Sequence, residues 1–391
     1  MVTLMQHIAL LIGALSVIAW LYLLMGRGGF WRAARQRDPS RPQSTSRRVV
    51  AVIPARNEAA VIGRAVRSLL AQQLCGSVHV IVVDDGSVDG TAAAAAQAAA
   101  DLGAASRLAV LQGSALASGW SGKLWAVAQG VAAAEQLAPD YLLLTDADIG
   151  HPADAVTQLV TRAQAEGRDL VSLMVRLRCD SFWEKAMIPA FVFFFAKLYP
   201  FSWINNPRNK TAGAAGGCML VKRTALEEAG GIESIRGALI DDCSLAAQIK
   251  HRGDGRHPIR LDLADRSVSL RPYDSWRDIW NMIARTAFTQ LHYSSWLLAG
   301  TLLGMTIIYL VPPVASLVYG ARAWPAWLAW ASMCTAYAPM LRYYRRSPWW
   351  APVLPLVALF YVGATFASAW RYWRGKGGQW KARVQAPVQD R

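Results

Sequence analysis

Long apolar stretches occupy both ends of this chain, whereas short apolar and polar runs alternate through its middle. The first stretch, residues 4–24, is long enough to cross a bilayer, which takes about 20 apolar residues. Three more stretches follow near the C-terminus, at about 295–319, 324–341 and 349–370. The pattern therefore predicts one N-terminal transmembrane anchor, about three C-terminal transmembrane helices, and a polar domain between them.

The middle of the chain alternates strand-length apolar runs with segments of helical periodicity. Apolar residues recur at helical spacing from Val61 to Leu70, so one face of that helix is expected to be buried. Strands that alternate with helices form a mostly parallel sheet with right-handed crossovers, so we expect a Rossmann-like α/β domain. Its predicted strands are residues 49–53, 79–83, 107–111, 141–144, 170–177 and 216–221.

Acidic side chains come directly after two of these strands. Asp84 and Asp85 end the second strand, and Asp146 and Asp148 follow the fourth. Polar groups at the carboxyl edge of a parallel sheet line a ligand crevice. Because Asp146 and Asp148 are two positions apart, they point the same way in an extended chain, and such a pair suits Mg²⁺ or Mn²⁺ with diphosphate oxygens completing the coordination. A solvated acidic turn is the alternative interpretation of the pair by itself.

The segment 182–204 is strongly apolar but is interrupted by Pro189 and Lys197. A core helix seldom contains so many aromatic side chains. We therefore expect this segment to lie at the membrane interface, with Phe191, Phe193, Phe194 and Phe195 inserted into the acyl boundary and with Lys185 and Lys197 at the headgroups. A full membrane span and a buried helix are the alternatives.

The net charge of +15 is unevenly distributed along the chain. Residues 27–48 hold seven basic residues against one acidic residue, and residues 266–391 hold fourteen against three, whereas residues 49–265 have a net charge of −2. The basic excess thus flanks the apolar stretches, which suits anionic lipid surfaces. The central domain has no basic stripe and no nucleic-acid-binding motif, so nucleic acid is not an expected partner.

Charge also predicts the orientation of the chain. Basic residues after the first span place the central domain in the cytoplasm, at an inner membrane. Five scattered cysteines, an odd number without metal-ligand spacing, fit free thiols in a reducing compartment. Three later spans would put the C-terminus outside, yet the basic residues at 342–346 and 371–383 favour the inside, so the side of the C-terminus stays open.

Six short motifs follow one another along the middle of the chain: VIPARNE (52–58), VVDDGSVDGT (82–91), GKLWA (122–126), TDAD (145–148), GGCML (216–220) and IDDC (240–243). In this order they make the sequence resemble family 2 of the inverting, nucleotide-sugar-dependent glycosyltransferases, whose catalytic domain has the GT-A fold. The membrane plan looks like the ceramide glucosyltransferase type. Within that type, TAFTQLHYS at 286–294 and SAWRYWRGKGGQWKAR at 368–383 look like the hopanoid-biosynthesis-associated glycosyltransferases.

The resemblance implies roles for the acidic residues. Asp148 would bind the metal directly, and Asp146 would lie near the ribose or the metal. Inversion needs one general base on the sugar face opposite the leaving group, and Asp242 aligns with that base. Asp241 aligns with the acid before it; capping of the following helix is the plainer role for one of this pair.

The resemblance also implies a donor pocket, for which two plainer interpretations stay open. Lys123 would offer a cation to the nucleotide, or be an exposed lysine at a helix start. Gly216 and Gly217 would allow close approach of the backbone to a sugar, or tight strand packing. Arg285 alone agrees with the family's Gln/Arg-x-x-Arg-Trp motif. The predicted nucleotide-sugar-binding residues are Pro54, Arg56, Asn57, Glu58, Asp84, Asp85, Lys123, Asp146, Gly216, Gly217, Asp241 and Arg285.

The expected activity is metal-dependent transfer of a sugar from a UDP-sugar to the hydroxyl group of a membrane lipid such as a hopanoid. A polyprenyl-phosphate sugar synthase and a non-catalytic membrane scaffold are the alternatives. The predicted organisation is a transmembrane anchor (1–26), a basic linker (27–48), a GT-A domain (49–265) that includes the interfacial segment (182–204), an interfacial helix region (266–294), transmembrane helices (295–370) and a basic tail (371–391).

Overall fold

The computed structural model describes residues 2–33, 46–74, 76–253, 257–375, 377, 379–380 and 383–384. The chain divides into two compact units. Most of the predicted basic linker and of the predicted basic tail lies outside the described residues. The sheet unit comprises Arg35–Arg178, Trp203–Pro272 and Gln379–Arg391, and the helical unit comprises Met1–Ala34, Cys179–Ser202 and Tyr273–Gly378.

One sheet forms the centre of the sheet unit, and its order is β3-β2-β1-β4-β7-β6-β8-β5. Strands β1 to β4 are parallel neighbours, β7 runs antiparallel to β4 and β6, and β5 runs antiparallel to β8. The predicted mostly parallel α/β sheet is confirmed. Within the described residues its strands are β1 (Arg48–Ala55), β2 (Ser77–Asp84), β3 (Leu108–Gln112), β4 (Tyr141–Leu144), β5 (Ile149–Gly150), β6 (Leu170–Arg176), β7 (Met219–Lys222) and β8 (Ile259–Ser269).

The helices cover the sheet in one unit and pack on one another in the other. In the sheet unit, α2 buries Ile62, Val66 and Leu69 against the sheet, as its spacing predicts. The helices of the chain are α1 (Val2–Met25), α2 (Ala59–Leu70), α3 (Thr91–Ala100), α4 (Gly122–Ala134), α5 (Ala155–Ala165), α6 (Phe182–Leu198), α7 (Phe201–Ile204), α8 (Arg223–Glu228), α9 (Asp241–His251), α10 (Trp276–Thr286), α11 (Ser295–Met305), α12 (Val311–Tyr319), α13 (Trp324–Tyr343) and α14 (Leu354–Trp373).

Three helical segments among the described residues are long and apolar enough to cross a membrane: Gln6–Met25, Ser295–Tyr343 and Pro348–Trp373. The second of these folds back on itself at a short 3₁₀ turn, Gly320–Ala323, where Gly320 adopts a φ of +56°, a conformation that favours glycine. Its two arms, α11–α12 and α13, correspond to two of the predicted C-terminal stretches. An N-terminal candidate span and candidate spans near the C-terminus are thus confirmed.

Helix α6 corrects one expectation about the predicted interfacial segment. Phe193 is fully buried and Phe194 is 8% exposed, because their rings pack inside the helical unit against Phe30, Tyr337, Tyr309 and Tyr361. The prediction that these two side chains insert into lipid is therefore wrong: aromatic contacts within the protein replace contacts with acyl chains.

The ends of α6 differ from its middle. Phe182 at the start is 63% exposed and Leu198 at the end is 47% exposed. The helix begins with a capping box in which Ser181 and Glu184 exchange hydrogen bonds with each other's backbone amides. Phe191 and Phe195 are half-buried, so these two side chains and the exposed ends remain available for an interfacial position, which stays a prediction.

Candidate functional site

Strands β1, β2 and β4 end at the same edge of the sheet, and the polar residues that follow them come together there. Parallel pairing places Val52 of β1 beside Leu144 of β4, and Ala55 of β1 beside Asp84 of β2. The residues that follow these strands therefore meet at the carboxyl edge of the sheet, where parallel α/β folds bind ligands. Most of the predicted site residues lie at this edge.

Lys123 connects the metal motif with the predicted catalytic helix. Its Nζ lies 2.8 Å from Asp146 Oδ1 and 3.0 Å from Asp241 Oδ2. Only 20% of its side chain is exposed, so the interpretation of Lys123 as an exposed helix-start lysine is wrong. Burial lowers the pKa of Lys123, but the two carboxylates outweigh this effect and the net pKa is raised. Lys123 is therefore a permanent cation in the cleft.

Asp242 at the start of α9 is held by two backbone amides. Its Oδ2 accepts a hydrogen bond from Gly216 N at 2.9 Å, and its Oδ1 accepts one from Cys243 N at 2.7 Å. Burial, together with the negative charge of Asp241, raises the pKa of Asp242 to about 6, against the opposing effects of Lys123 and the two amides. A carboxylate with this pKa is ionised at neutral pH and is a stronger base than an ordinary aspartate.

Neither acid at the start of α9 caps the helix. The N-cap residue is Ile240, which makes no side-chain capping hydrogen bond, and within the helix Asp242 accepts only from the amide of the residue that follows it. Asp241 pairs with Lys123 instead, so the plainer role of helix capping is wrong for both acids. Assignment of the base to Asp242 stays a prediction.

Arg271 is a site residue that the sequence analysis missed. Its Nε donates to Asp148 Oδ2 at 2.9 Å, and its Nη2 donates to Glu58 Oε1. Strand β8 reaches Ser269, beyond the predicted domain boundary at residue 265, and so carries Arg271 to the same edge. A signal was available, since Arg271 directly follows the alternating polar and apolar run at residues 267–270.

The loops after β1 and β2 are joined into one wall. Arg56 Nη1 donates to the backbone oxygen of Asp85 and lies 3.4 Å from Asp85 Oδ2. Asn57 adopts a φ of +51°, and its Oδ1 accepts from Val88 N at 3.0 Å. Asp84 Oδ1 accepts from Ser87 N at 3.0 Å, so Asp84 stabilises the turn. Asp85 is the acid of this pair that we expect to meet a ligand.

The two glycines of the GGCML motif differ in what surrounds them. A Cβ atom on Gly217 would lie 2.9 Å from Val175 Cγ2, which indicates tight packing against β6. A Cβ atom on Gly216 would lie 3.4 Å from Lys123 Nζ and 3.6 Å from Asp242 Oδ2. Gly216 therefore keeps the floor of the cleft open beside two charged groups.

Arg285 is the one predicted site residue outside the sheet unit. It is an exposed residue of α10 in the helical unit. The other predicted residues lie at or beside a cleft in the sheet unit. The cleft is lined by Pro54, Lys123, Leu124, Val127, Leu144, Thr145, Asp146, Gly216, Met219, Ile232, Ile235, Asp241 and Leu245.

The carboxylate oxygens at this edge suit a hard divalent cation, for which the protein would supply only some of the ligands. Asp146 and Asp148 follow the same strand, and carboxylate oxygens are the ligands that Mg²⁺ and Mn²⁺ prefer. The described residues contain no group of three or more His, Cys, Asp or Glu side chains that could hold a metal ion. The remaining ligands would have to come from water or from a diphosphate, as is usual for Mg²⁺.

Comparisons with known proteins match the chain in sequence and in fold. Residues 50–230 match the family model described as glycosyl transferase family 2. No curated protein sequence matches the chain. Among solved structures, a mannosyltransferase from Pyrobaculum calidifontis in complex with GDP-Man and Mn²⁺ is 18% identical with a TM-score of 0.52, and the match covers 92% of this chain and 99% of that one.

Two further structures are more distant in fold. Glucosyl-3-phosphoglycerate synthase from Mycobacterium tuberculosis, in complex with Mn²⁺, uridine-diphosphate and phosphoglyceric acid, is 22% identical with a TM-score of 0.40 and covers 62% of this chain and 78% of its own. Mannosyl-3-phosphoglycerate synthase from Rubrobacter xylanophilus is 17% identical with a TM-score of 0.38, covering 70% and 82%. The mannosyltransferase supports the predicted fold. The narrower likeness to ceramide glucosyltransferases and hopanoid-associated enzymes stays a prediction.

Proposed function

From the match of residues 50–230 to the glycosyl transferase family 2 model, we propose a specific activity for the chain. It transfers a sugar from a UDP-sugar to the hydroxyl group of a membrane lipid, such as a hopanoid, with inversion at the anomeric carbon. The domain by itself supports transfer from a nucleotide sugar. The inverting chemistry, the metal and the lipid acceptor are argued below.

The observation that carries the proposal is the single carboxylate held at the cleft by two backbone amides. Asp242 accepts from Gly216 N and Cys243 N, so its position is set by the backbone on both sides. Its raised pKa makes it a base that takes a proton from an acceptor hydroxyl near neutral pH. One base on one face is what an inverting displacement requires, whereas retention by a double displacement uses a second nucleophilic step.

A metal ion is the proposed cofactor of this site. Asp148 and Asp146 would hold Mg²⁺ or Mn²⁺, which would neutralise the charge that develops on the departing diphosphate. Lys123 lies 2.8 Å from Asp146 Oδ1 and supplies a second positive charge at the same edge. Asp85 and the loop of Arg56 and Asn57 would bind the nucleoside, since their backbone connections already hold that wall in place.

The helical unit of the same chain supports a lipid acceptor and a location in the membrane. Its candidate spans expose large apolar side chains, such as Leu11 at 71%, Leu317 at 71% and Leu356 at 69%, which suits acyl chains rather than water. The basic residues after the first span support a multi-pass protein of the inner membrane with a cytoplasmic catalytic domain. A water-soluble acceptor would give such a unit no role in substrate access.

Labelled nucleotide sugars and a total lipid extract test the proposal. The full-length protein in detergent should move label from a UDP-sugar into the lipid fraction, in a reaction that stops with excess chelator and resumes with Mn²⁺. Asp242→Asn should abolish this transfer while it still binds UDP. Asp101→Asn is the matched control, because Asp101 pairs with Arg67 at the surface.

The product separates the alternatives. A lipid product that survives mild acid would contain a glycosidic bond to a hydroxyl, whereas an acid-labile product would indicate a glycosyl phosphate and a polyprenyl-phosphate acceptor. If the label stays on the nucleotide sugar with every donor tested, with neither a lipid product nor free sugar formed, the result would contradict catalysis and favour a scaffold. Full transfer in the presence of chelator would contradict the metal.

A further inference from the structure

The guanidinium group of Arg271 binds one of the two carboxylates that the proposed metal would use. Its Nε donates to Asp148 Oδ2 at 2.9 Å, and its Nη2 donates to Glu58 Oε1. The Asp148 side chain is 12% exposed and the Glu58 side chain is 10% exposed, whereas the Arg271 side chain is 33% exposed and keeps contact with water. Charge-assisted hydrogen bonds in such surroundings are stronger than bonds at an open surface.

The backbone around this pair is fixed by strand pairing. β5 and β8 run antiparallel with Ile149 opposite Ser269, and Leu270 N donates to Asp148 O at 2.6 Å. Ser269 Oγ also donates to Asp148 Oδ2 at 3.4 Å. The Asp148 carboxylate and the Arg271 side chain thus extend from two paired segments of the same chain, which hold each other in place. The long side chain of Arg271 is the part of this arrangement that can move.

A divalent cation and this guanidinium group would compete for the Asp148 carboxylate. Oδ2 already accepts hydrogen bonds from Arg271 Nε and Ser269 Oγ, and a cation bound to the same carboxylate would repel the guanidinium group. The second hydrogen bond of Arg271, to Glu58, does not involve the metal motif. Displacement from Asp148 would therefore leave Arg271 attached at the side of the predicted nucleotide pocket, with its other N–H groups open to a new acceptor.

We propose that Arg271 is an internal counterion of Asp148 that the metal ion displaces, after which its guanidinium group binds the diphosphate of the donor while Glu58 retains it. This inference rests on the proposed function, because it needs a metal and a nucleotide diphosphate at the cleft. It gives Arg271 two opposite effects. Arg271 weakens metal binding to the donor-free protein, and it strengthens binding of the nucleotide to the metal-loaded protein. A residue that only maintained the fold would affect both affinities in the same direction.

Two binding measurements on the full-length protein in detergent test this inference. Electron paramagnetic resonance measures the affinity for Mn²⁺ without nucleotide, and calorimetry measures the affinity for UDP at saturating Mn²⁺. In Arg271→Gln we expect Mn²⁺ to bind roughly tenfold more tightly, the size of one charge-assisted hydrogen bond, and UDP to bind roughly tenfold more weakly. Arg271→Lys keeps the charge without the fork of donors and should lie between the two proteins.

The matched control is Arg266→Gln on the same strand. Arg266 pairs with Asp154 where both side chains are about half exposed, so this change should alter neither affinity. The inference is overturned if Arg271→Gln binds Mn²⁺ no more tightly than the wild type, or if both of its affinities fall together. If the wild type binds Mn²⁺ no more tightly than Asp148→Asn does, Asp148 is not a metal ligand. That result would contradict the proposed metal-dependent function, and the inference about Arg271 with it.

Discussion

The sheet unit and the helical unit both bury polar side chains, but they stabilise them differently. In the sheet unit the acids of the metal motif pair with cations, Asp146 with Lys123 and Asp148 with Arg271. In the helical unit the buried Trp20 donates its indole N–H to Ile308 O at 3.0 Å, a carbonyl in a π-helical turn. The first arrangement concentrates charge that a ligand can rearrange, and the second uses neutral partners that stay in place.

This difference predicts how the two units respond to substitution. Ion pairs at the cleft are worth little to the free energy of unfolding, because each charge is partly solvated and desolvation offsets the attraction. Aromatic packing in the helical unit has no such offset. Changes at the cleft should therefore affect catalysis with little loss of stability, whereas changes among the aromatic rings should do the reverse.

The largest expected effect is that of Asp242→Asn on turnover. Removal of a positioned base should lower kcat by ~10²–10⁴-fold, while UDP affinity and the thermal unfolding midpoint stay close to the wild-type values. Steady-state kinetics and a thermal melt of the detergent-solubilised protein measure both. If Asp241→Asn lowers kcat more than Asp242→Asn does, the base has been assigned to the wrong acid. A large fall in the melting midpoint would contradict the comparison itself.

The next effect is that of Phe193→Ala on stability. Phe193 is fully buried between the rings of Phe30 and Tyr337, so its truncation should lower the free energy of unfolding by about 3–5 kcal/mol. Hydrolysis of the nucleotide sugar by protein that remains folded should be unchanged. Phe182→Ala is the control, because that ring is 63% exposed. An unchanged melt with a selective loss of transfer to lipid would instead restore the lipid-inserting role of Phe193.

A smaller effect concerns the dependence of the rate on pH. Asp242 acts only when ionised, and its pKa is raised to about 6, so kcat/KM should rise with pH through about 6 and level off above it. Burial and the charge of Asp241 raise this pKa. Asp241→Asn removes the charge and should move the rise to lower pH. A rise that stays in place or moves upward would show that another group controls it.

The smallest perturbation is a labelling experiment that tests the orientation of the helical unit. Ala9 packs with Ala323 and Ala326 at the start of α13, and Phe30 and Tyr337 contact the same ring of Phe193. Helices α1 and α13 therefore run parallel, and the arginines after α13 lie on the same side as those after α1.

The end of α14 lies on that side as well. Ala369 packs with Leu298, near the start of α11, and α11–α12 runs from there towards Ala315 beside Ala9. All three basic clusters can then be cytoplasmic, with both ends of α14 on one side, so that α14 does not cross although it is long and apolar enough to do so. This arrangement removes the conflict that arises when each apolar stretch is assumed to cross once. A cysteine in place of Ser347 should react with an impermeant reagent from the cytoplasmic side, and one in place of Ala321 from the opposite side. The reverse pattern, or the same side for both, would contradict this orientation.

Much of the fold was predictable because it depends on local patterns. The strand at Tyr141–Leu144 has the predicted bounds, since a short apolar run that ends in two acids leaves little choice of boundary. Strand β8 was missed: Arg260, Asp262 and Asp265 interrupt its apolar pattern. Arg260 and Asp262 pair with each other, so their charges are accommodated within the sheet unit.

The sequence by itself determined which residues end the strands, because the alternation of apolar and polar side chains is a local property of the chain. It thereby placed Asp85, Asp146 and Asp148 at one edge of a sheet. Only the tertiary structure decided their partners: Asp148 and Arg271 are 123 positions apart, and the antiparallel register of β5 and β8 brings them together. The burial of Phe193 was decided in the same way, since an aromatic ring suits lipid and protein equally well and only the neighbouring helices distinguish the two.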